Sequence, residues 1–171
     1  PARTTIPMNR LAPKDCIIEI NVIALRGESR IEKETITAPD VPVPDIHQPH
    51  AVRAGEFLFI SGMCATDFGE GLAPAARLHP EMPWFGSSAK KQTSYILEKM
   101  EKVCRCAGTD LKNVVWTQNY YTNPAEFQPS LEVWQERFPK NPPAAFAGVV
   151  RPPHMIPEGT ILMDALAVLA D

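Results

Sequence analysis

The sequence has no excess of positive charge, few cysteines and no long apolar run. Seventeen basic residues stand against 20 acidic ones, a net charge of −3. That balance argues against a dedicated nucleic-acid binder, which carries a basic face or stripe. Four cysteines at 16, 64, 104 and 106 include no C-x-x-C pair and are too few for a disulfide scaffold. All four are expected as reduced, mostly buried thiols in a cytoplasmic protein. The apolar runs at 144–150 and at 160–170, the latter interrupted by Asp164, fall short of the ~20 residues of a membrane helix. No basic-then-apolar leader precedes them. His47, His50, His79 and His154 lack metal spacing, read as surface or proline-loop residues, and imply no metal. What the chain does have is globular composition, 44% apolar and 22% charged. Its 18 prolines in 171 residues are about twice the usual ~5% share and gather in connections. It opens Pro1-Ala2-Arg3 without an initiator methionine, as expected for a processed product or part of a longer chain.

Three stretches follow one another. Within 1–25, Cys16-Ile17-Ile18-Glu19-Ile20-Asn21-Val22-Ile23-Ala24-Leu25 is rich in β-branched residues, and Glu19 and Asn21 share a face at period two. Residues 1–25 are expected to form two adjacent strands. Residues 26–43, charged and then proline-rich, read as a semi-rigid linker. Residues 44–171 read as a complete module. A buried strand ends at Ser61-Gly62, and a Gly/Pro-rich loop over 64–87 follows, with Trp84 and Phe85 placed to cover a patch or pocket. Ser87 or Ser88 caps a helix with the stripe Ile96, Leu97, Met100, Val103, Cys104, Ala107, which stops at Gly108. A strand over 114–121 reads as sheet packing rather than a base-stacking platform. Pro124 opens a second helix with Phe127, Leu131, Trp134 and Phe138 on its buried face. Two closing strands complete an α+β order β-β-α-β-α-β-β, one sheet with two helices on one face.

The end of the chain repeats its beginning. Pro143-Ala144-Ala145-Phe146-Ala147 is similar to Pro1-Ala2-Arg3-Thr4-Thr5. Ile161-Leu162-Met163-Asp164-Ala165-Leu166-Ala167 is similar to Ile18-Glu19-Ile20-Asn21-Val22-Ile23-Ala24. Such self-similarity points to tandem modules. Residues 1–25 then correspond to the last two strands of an upstream module.

At this point the chain resembles the Rid (YjgF-type) enamine/imine deaminases. The likeness rests on Ala51-Val52-Arg53-Ala54-Gly55-Glu56-Phe57-Leu58-Phe59-Ile60-Ser61-Gly62, on 92–108 ending in Ala-Gly, on Asp110-Leu111-Lys112-Asn113-Val114-Val115, and on 126–139. It spans about 44–171, and the P-A-R-[ST] and I-E-I-x-x-I-A motifs extend it to 1–25. The resemblance implies a chorismate-mutase-like fold and a trimer or pseudo-trimer of modules with clefts between them. It implies that Arg3 binds a substrate carboxylate and Glu19 orients the attacking water. It further implies that Ser61 and Gly62 line the substrate site and that no cofactor is needed. The chemistry suits the residues, since a guanidinium fork matches a carboxylate and a strand-held Glu can relay a proton. The second module departs from the pattern. Ala145, beside Phe146, stands where the family has Arg, Leu162 where it has Glu, Gln48 near a site-lining Tyr, and Leu131 near another site position.

Two classes of function follow. One is hydrolytic deamination of an imine or enamine of a small carboxylic acid, with the other groups of the site supplied by an upstream piece of the same precursor or by a second chain. The other is a non-catalytic structural or ligand-binding subunit that completes a hetero-oligomer. No nucleic-acid or membrane partner is expected. Simpler roles stay open for the same residues: a solvated Arg3, a Glu19 that guards a strand edge, and a Ser61-Gly62 that only ends a strand. Pro1 as a secondary-amine base or nucleophile is set aside, because the repeat accounts for it.

Overall fold

Period-two alternation builds the sheet, and one central strand buried on both faces organises it. The structure, a computed structural model, describes residues 1–11, 13–150 and 156–169. Strands β1 (Lys33–Ile36), β2 (Ala51–Ala54), β3 (Phe57–Cys64), β4 (Val114–Tyr121), β5 (Ala144–Val149) and β6 (Ile161–Val168) form one sheet in the order β1-β2-β3-β6-β4-β5. The β4–β5 pair is parallel and the others are antiparallel. Because β6 lies between β3 and β4, its residues Ile161 to Ala165 are all buried, as a strand covered on both faces requires. From β2 onward the order is the expected β-β-α-β-α-β-β, with α1 (Ser88–Cys106) and α2 (Phe127–Arg137).

Both helices occupy one face. Thr93 of α1 and Tyr121 of β4 each hydrogen-bond the Ser130 hydroxyl of α2, at 2.8 and 3.1 Å. Alternation then puts Thr117 and Asn119 on the same face as Tyr121, and Trp116, Gln118 and Tyr120 on the other. Helix α1 has the expected cap, with the Ser87 hydroxyl accepting from the Lys90 amide at 3.3 Å. Its stripe Ile96, Leu97, Met100, Val103 and Cys104 is buried, and the helix stops before Gly108 at φ +81°.

Several expectations are corrected. Strand β1 lies inside the expected linker, paired to β2 with Ile36 opposite Ala51. No strand is assigned between 1 and 25 among the described residues. A strand needs a neighbour to satisfy its backbone, and 16–25 has none in this single chain: Ile17 is 96% and Ile23 83% exposed. Phe127 is exposed, because it sits on the first turn and meets Tyr121 edge-on at 5.9 Å. Trp84 and Phe85 cover nothing, both being nearly four-fifths exposed. Cys64 and Cys104 are buried, whereas Cys16 and Cys106 are exposed; two helix positions apart, Cys104 and Cys106 face different ways. His50 is buried rather than on the surface. His154 and residue 170, the end of the second apolar run, lie outside the described residues.

Candidate functional site

Strand β3 carries a β-bulge at the two residues singled out from sequence. Ile60 pairs with Ala165 and Met63 with Met163, so Ser61 and Gly62 together oppose Asp164. A bulge turns backbone groups out of the ladder. Here the Gly62 amide donates to the Arg3 carbonyl at 3.0 Å. The Arg3 amide in turn donates to the Ser61 hydroxyl at 3.2 Å. Ser61 is held from behind, its hydroxyl donating to the Pro49 carbonyl at 2.6 Å and its amide to the His50 carbonyl at 2.9 Å. Its hydroxyl is therefore committed to two main-chain groups and buried. The Gln48 side-chain amide reaches the Gly62 carbonyl at 3.4 Å.

The chain lies so close that any side chain at position 62 would crowd it. A Cβ there would meet Thr4 Cγ2 at 3.0 Å, Oγ1 at 3.2 Å and Cα at 3.3 Å. Arg3 is exposed, and its guanidinium joins none of the ion pairs among the described residues. The structure thus gathers Arg3, Ser61 and Gly62, three of the four expected site residues. Glu19 stays apart from them. It is exposed, in a stretch without strand structure, and accepts from Asn21 Nδ2 at 3.1 Å.

Polar residues not singled out from the sequence stand beside this junction. Asp164, 7% exposed, accepts from Gln118 Nε2 at 3.2 and 3.3 Å. Its register partner is Gln118, so it shares the helix-free face. Burial pushes its carboxyl above the ordinary range, and the polar groups of Thr4 and Gln118 offset part of that. Tyr120 donates to Gln118 Oε1 at 3.0 Å; burial, with Asp164 nearby, pushes its phenol up to about 12. Leu162 lies two residues before Asp164 on the same face, opposite Tyr120 and buried. Ala145 lies on the exposed edge strand β5. The one hint in the sequence was Asp164 itself, a charge inside an apolar run.

Behind the bulge, Lys99 of α1 is buried. Its ammonium donates to the Cys64 carbonyl at 2.8 Å and the Thr66 carbonyl at 3.1 Å. It stands 5.6 Å from the Phe68 ring centroid and 5.5 Å from that of Tyr95. Burial lowers it to about 8, against the upward pull of Cys64 and Asp67. With Gln48, His50, Ser61 and Gly62 it lines a cavity of about 20 Å³, room for about one water molecule. His50 Nδ1 accepts from the Ala38 amide at 3.0 Å, leaving Nε2–H to donate to the Pro42 carbonyl at 3.0 Å. Burial lowers its pKa, the Pro42 carbonyl raises it and Lys99 lowers it further. It is a satisfied structural histidine.

The family model described as Endoribonuclease L-PSP matches residues 41–168. The chain belongs to that family, the Rid/YjgF family. This Rid-family chain is 29% identical over 115 residues to a RutC family protein of Pyrococcus horikoshii, covering 67% of this chain and 82% of that one. It is 24% identical over 127 residues to the 3-aminoacrylate deaminase RutC of Acinetobacter baylyi, covering 72% and 92%. Among solved structures it is similar to YEO7 of yeast, with a TM-score of 0.68 at 17% identity, covering 81% of this chain and all of that one. That likeness carries the α+β fold. No helix among the described residues is long and apolar enough to cross a membrane.

Proposed function

We propose that this Rid-family chain takes part in the hydrolytic deamination of an imine or enamine of a small carboxylic acid. The observation that carries the reading is the clasp of the Arg3 main chain on the Ser61–Gly62 bulge, with the exposed Arg3 side chain in none of the ion pairs among the described residues. The name of the A. baylyi relative, a deaminase of an enamino acid, supports the same class. The reaction balances with water alone. Water adds across C=N, the nitrogen leaves as ammonia, and an oxo acid remains. Arg3 anchors the carboxylate in a bidentate fork. Glu19 orients the water and passes its proton to the leaving nitrogen. No oxidant, metal or organic cofactor enters that balance.

Glu19 acts once 16–25 is paired as a strand. Its exposed apolar residues and its likeness to β6, which is buried between two strands, support an upstream piece of the same precursor, or a second chain, as the partner. The assembly is a trimer or pseudo-trimer of modules, with the helix-free face turned inward. The exposed thiols of Cys16 and Cys106 suit a reducing compartment, the cytoplasm. Although the family description speaks of a ribonuclease, 17 basic against 20 acidic residues favour a small-molecule substrate.

The test follows ammonia release from freshly generated imino acids. Losing a desolvated, charge-assisted contact costs about 2–5 kcal/mol, so Arg3→Ala is expected to lose roughly 30- to 5,000-fold in kcat/KM. Arg3→Lys recovers little, because a point charge lacks the fork. Glu19→Gln lowers kcat more than it raises KM. If the wild type gives no acceleration, or Arg3→Ala matches it, the chain is instead a non-catalytic subunit completing an oligomer.

A further inference from the structure

Where the chain leaves β3 it forms a loop with a pinned base and a free tip. The Thr66 hydroxyl donates to the Gly71 carbonyl at 2.7 Å and the Ala73 amide to the Ala65 carbonyl at 2.9 Å, which closes the base. Arg77 holds the Leu72 carbonyl at 2.8 Å and the Glu70 carbonyl. Residues 67–70 are all exposed. Their hydrogen bonds among the described residues run only to the loop itself and to Arg77. The Phe68 amide donates to Thr66 Oγ1 at 2.9 Å and the Gly69 amide to Asp67 Oδ1 at 3.1 Å. Phe68 stands at φ +64°, a left-handed conformation that strains a bulky residue. It is 39% exposed and lies outside the buried core. Its ring nevertheless has a seat: the Lys99 ammonium is 5.6 Å from its centroid, and the two line one cavity with Ser61 and Gly62.

What the ring covers is costly to bury. Lys99 is 4% exposed and joins none of the ion pairs among the described residues. It is held by the Cys64 and Thr66 carbonyls, which replace only part of an ammonium's hydration. The titratable groups facing it are Cys64 at the end of β3, Asp67 on the loop tip, Tyr95 on its own helix and His50 just before β2. Cys64 and Asp67 favour its charge, and burial outweighs them.

We propose that residues 67–70 are a lid on Lys99, with the Phe68 ring as its inner face: seated, it shuts the cavity behind the Ser61–Gly62 bulge, and lifted, it lets water reach the Lys99 nitrogen. The lid is linked to the proton of the lysine. Lifting it returns hydration to the ammonium, so the charged form favours opening and the neutral amine favours closure. Closure therefore strengthens as pH rises from about 8 towards 10.5. The lid does not depend on the deaminase reading.

Trace acetylation of the full chain with acetic anhydride tests the lid, read lysine by lysine by peptide mapping from pH 7 to 10.5. The anhydride reaches Lys99 only when the lid is lifted and the amine is neutral. Above about 8 the amine is already neutral under the closed lid, so the Lys99 rate levels off there instead of near 10.5. It stays below the rate of Lys91, which is exposed on the same helix. Phe68→Ala removes the ring and is expected to raise the plateau rate about tenfold, the effect of one desolvated ring on a cation, and to move the midpoint upward. Phe68→Tyr keeps a ring and labels like the wild type. Leu97→Ala weakens the core and leaves the loop residues in place, so a locally moving lid keeps its wild-type Lys99 rate. The proposal is overturned if Lys99 labels as fast as Lys91 in the wild type, or if Phe68→Ala labels Lys99 no faster than the wild type. It is also overturned if Leu97→Ala raises the Lys99 rate as much as Phe68→Ala does, since Lys99 is then reached through global unfolding.

Discussion

Replacing Gly62 by alanine separates the clasp from the fold. The new methyl would stand 3.0 Å from Thr4 Cγ2 and 3.2 Å from its Oγ1, contacts that a side-chain rotation relieves. It would also stand 3.3 Å from Thr4 Cα, which only a main-chain shift relieves. That shift strains the Gly62 amide to Arg3 carbonyl bond at 3.0 Å and the Arg3 amide to Ser61 bond at 3.2 Å. Two such bonds contribute about 1–3 kcal/mol net, so the docking equilibrium constant falls by about 5- to 150-fold. Gly62 is not among the glycines with positive φ, so alanine is free of backbone strain there. Its smaller unfolded-state entropy favours the fold by about 0.4–1 kcal/mol. The two effects have opposite signs in two assays. The KM for imino acids rises at least about fivefold, while the melting temperature holds or rises by about 1–4 °C. A chain lacking residues 1–6 should show the same KM with or without the substitution. Unchanged KM would refute the clasp as the placement of Arg3. A melting temperature lower by more than about 4 °C would place the clash in the sheet instead.

Two further outcomes concern the scaffold. Lys99 is lowered from 10.5 to about 8, so between those values the unfolded chain holds a proton that the folded one releases. Stability therefore rises with pH across that window, by about 3 kcal/mol from this group. The Cys104 thiol and Tyr120 phenol, both pushed up to about 12, act oppositely as pH rises through their unfolded values. Urea unfolding of the wild type and Lys99→Met from pH 8 to 10.5 isolates the lysine; a pH-independent difference between them contradicts this account of its burial. Leu97, fully buried on α1, should cost about 2–5 kcal/mol as Leu97→Ala. A urea-midpoint loss equivalent to less than ~1 kcal/mol would mean that the helix stripe is not the core.

The sequence by itself determined the element order of the module and the span and cap of α1, and it singled out Arg3, Ser61 and Gly62 for attention. These rest on local signals: a 3.6-residue stripe, Ser87 before it, Gly108 after it, and motifs read within a dozen residues. What it did not contain is register and long-range pairing. The pairing of β1 with β2 rests on Lys33–Ile36, whose four residues carry a weak alternation inside a charged, proline-flanked stretch. Phe127 and Trp84 look like core by residue type, and their exposure is decided by which turn or loop presents them. The bulge needs the registers of β3 and β6 together, because one extra residue on one strand is defined only against its partner. Asp164 was visible as a break in an apolar run, but its hydrogen bonds to Gln118 join two strands far apart in the chain. Only the folded sheet brings the two together, since a hydrogen bond depends on distances of a few ångströms that no periodicity encodes.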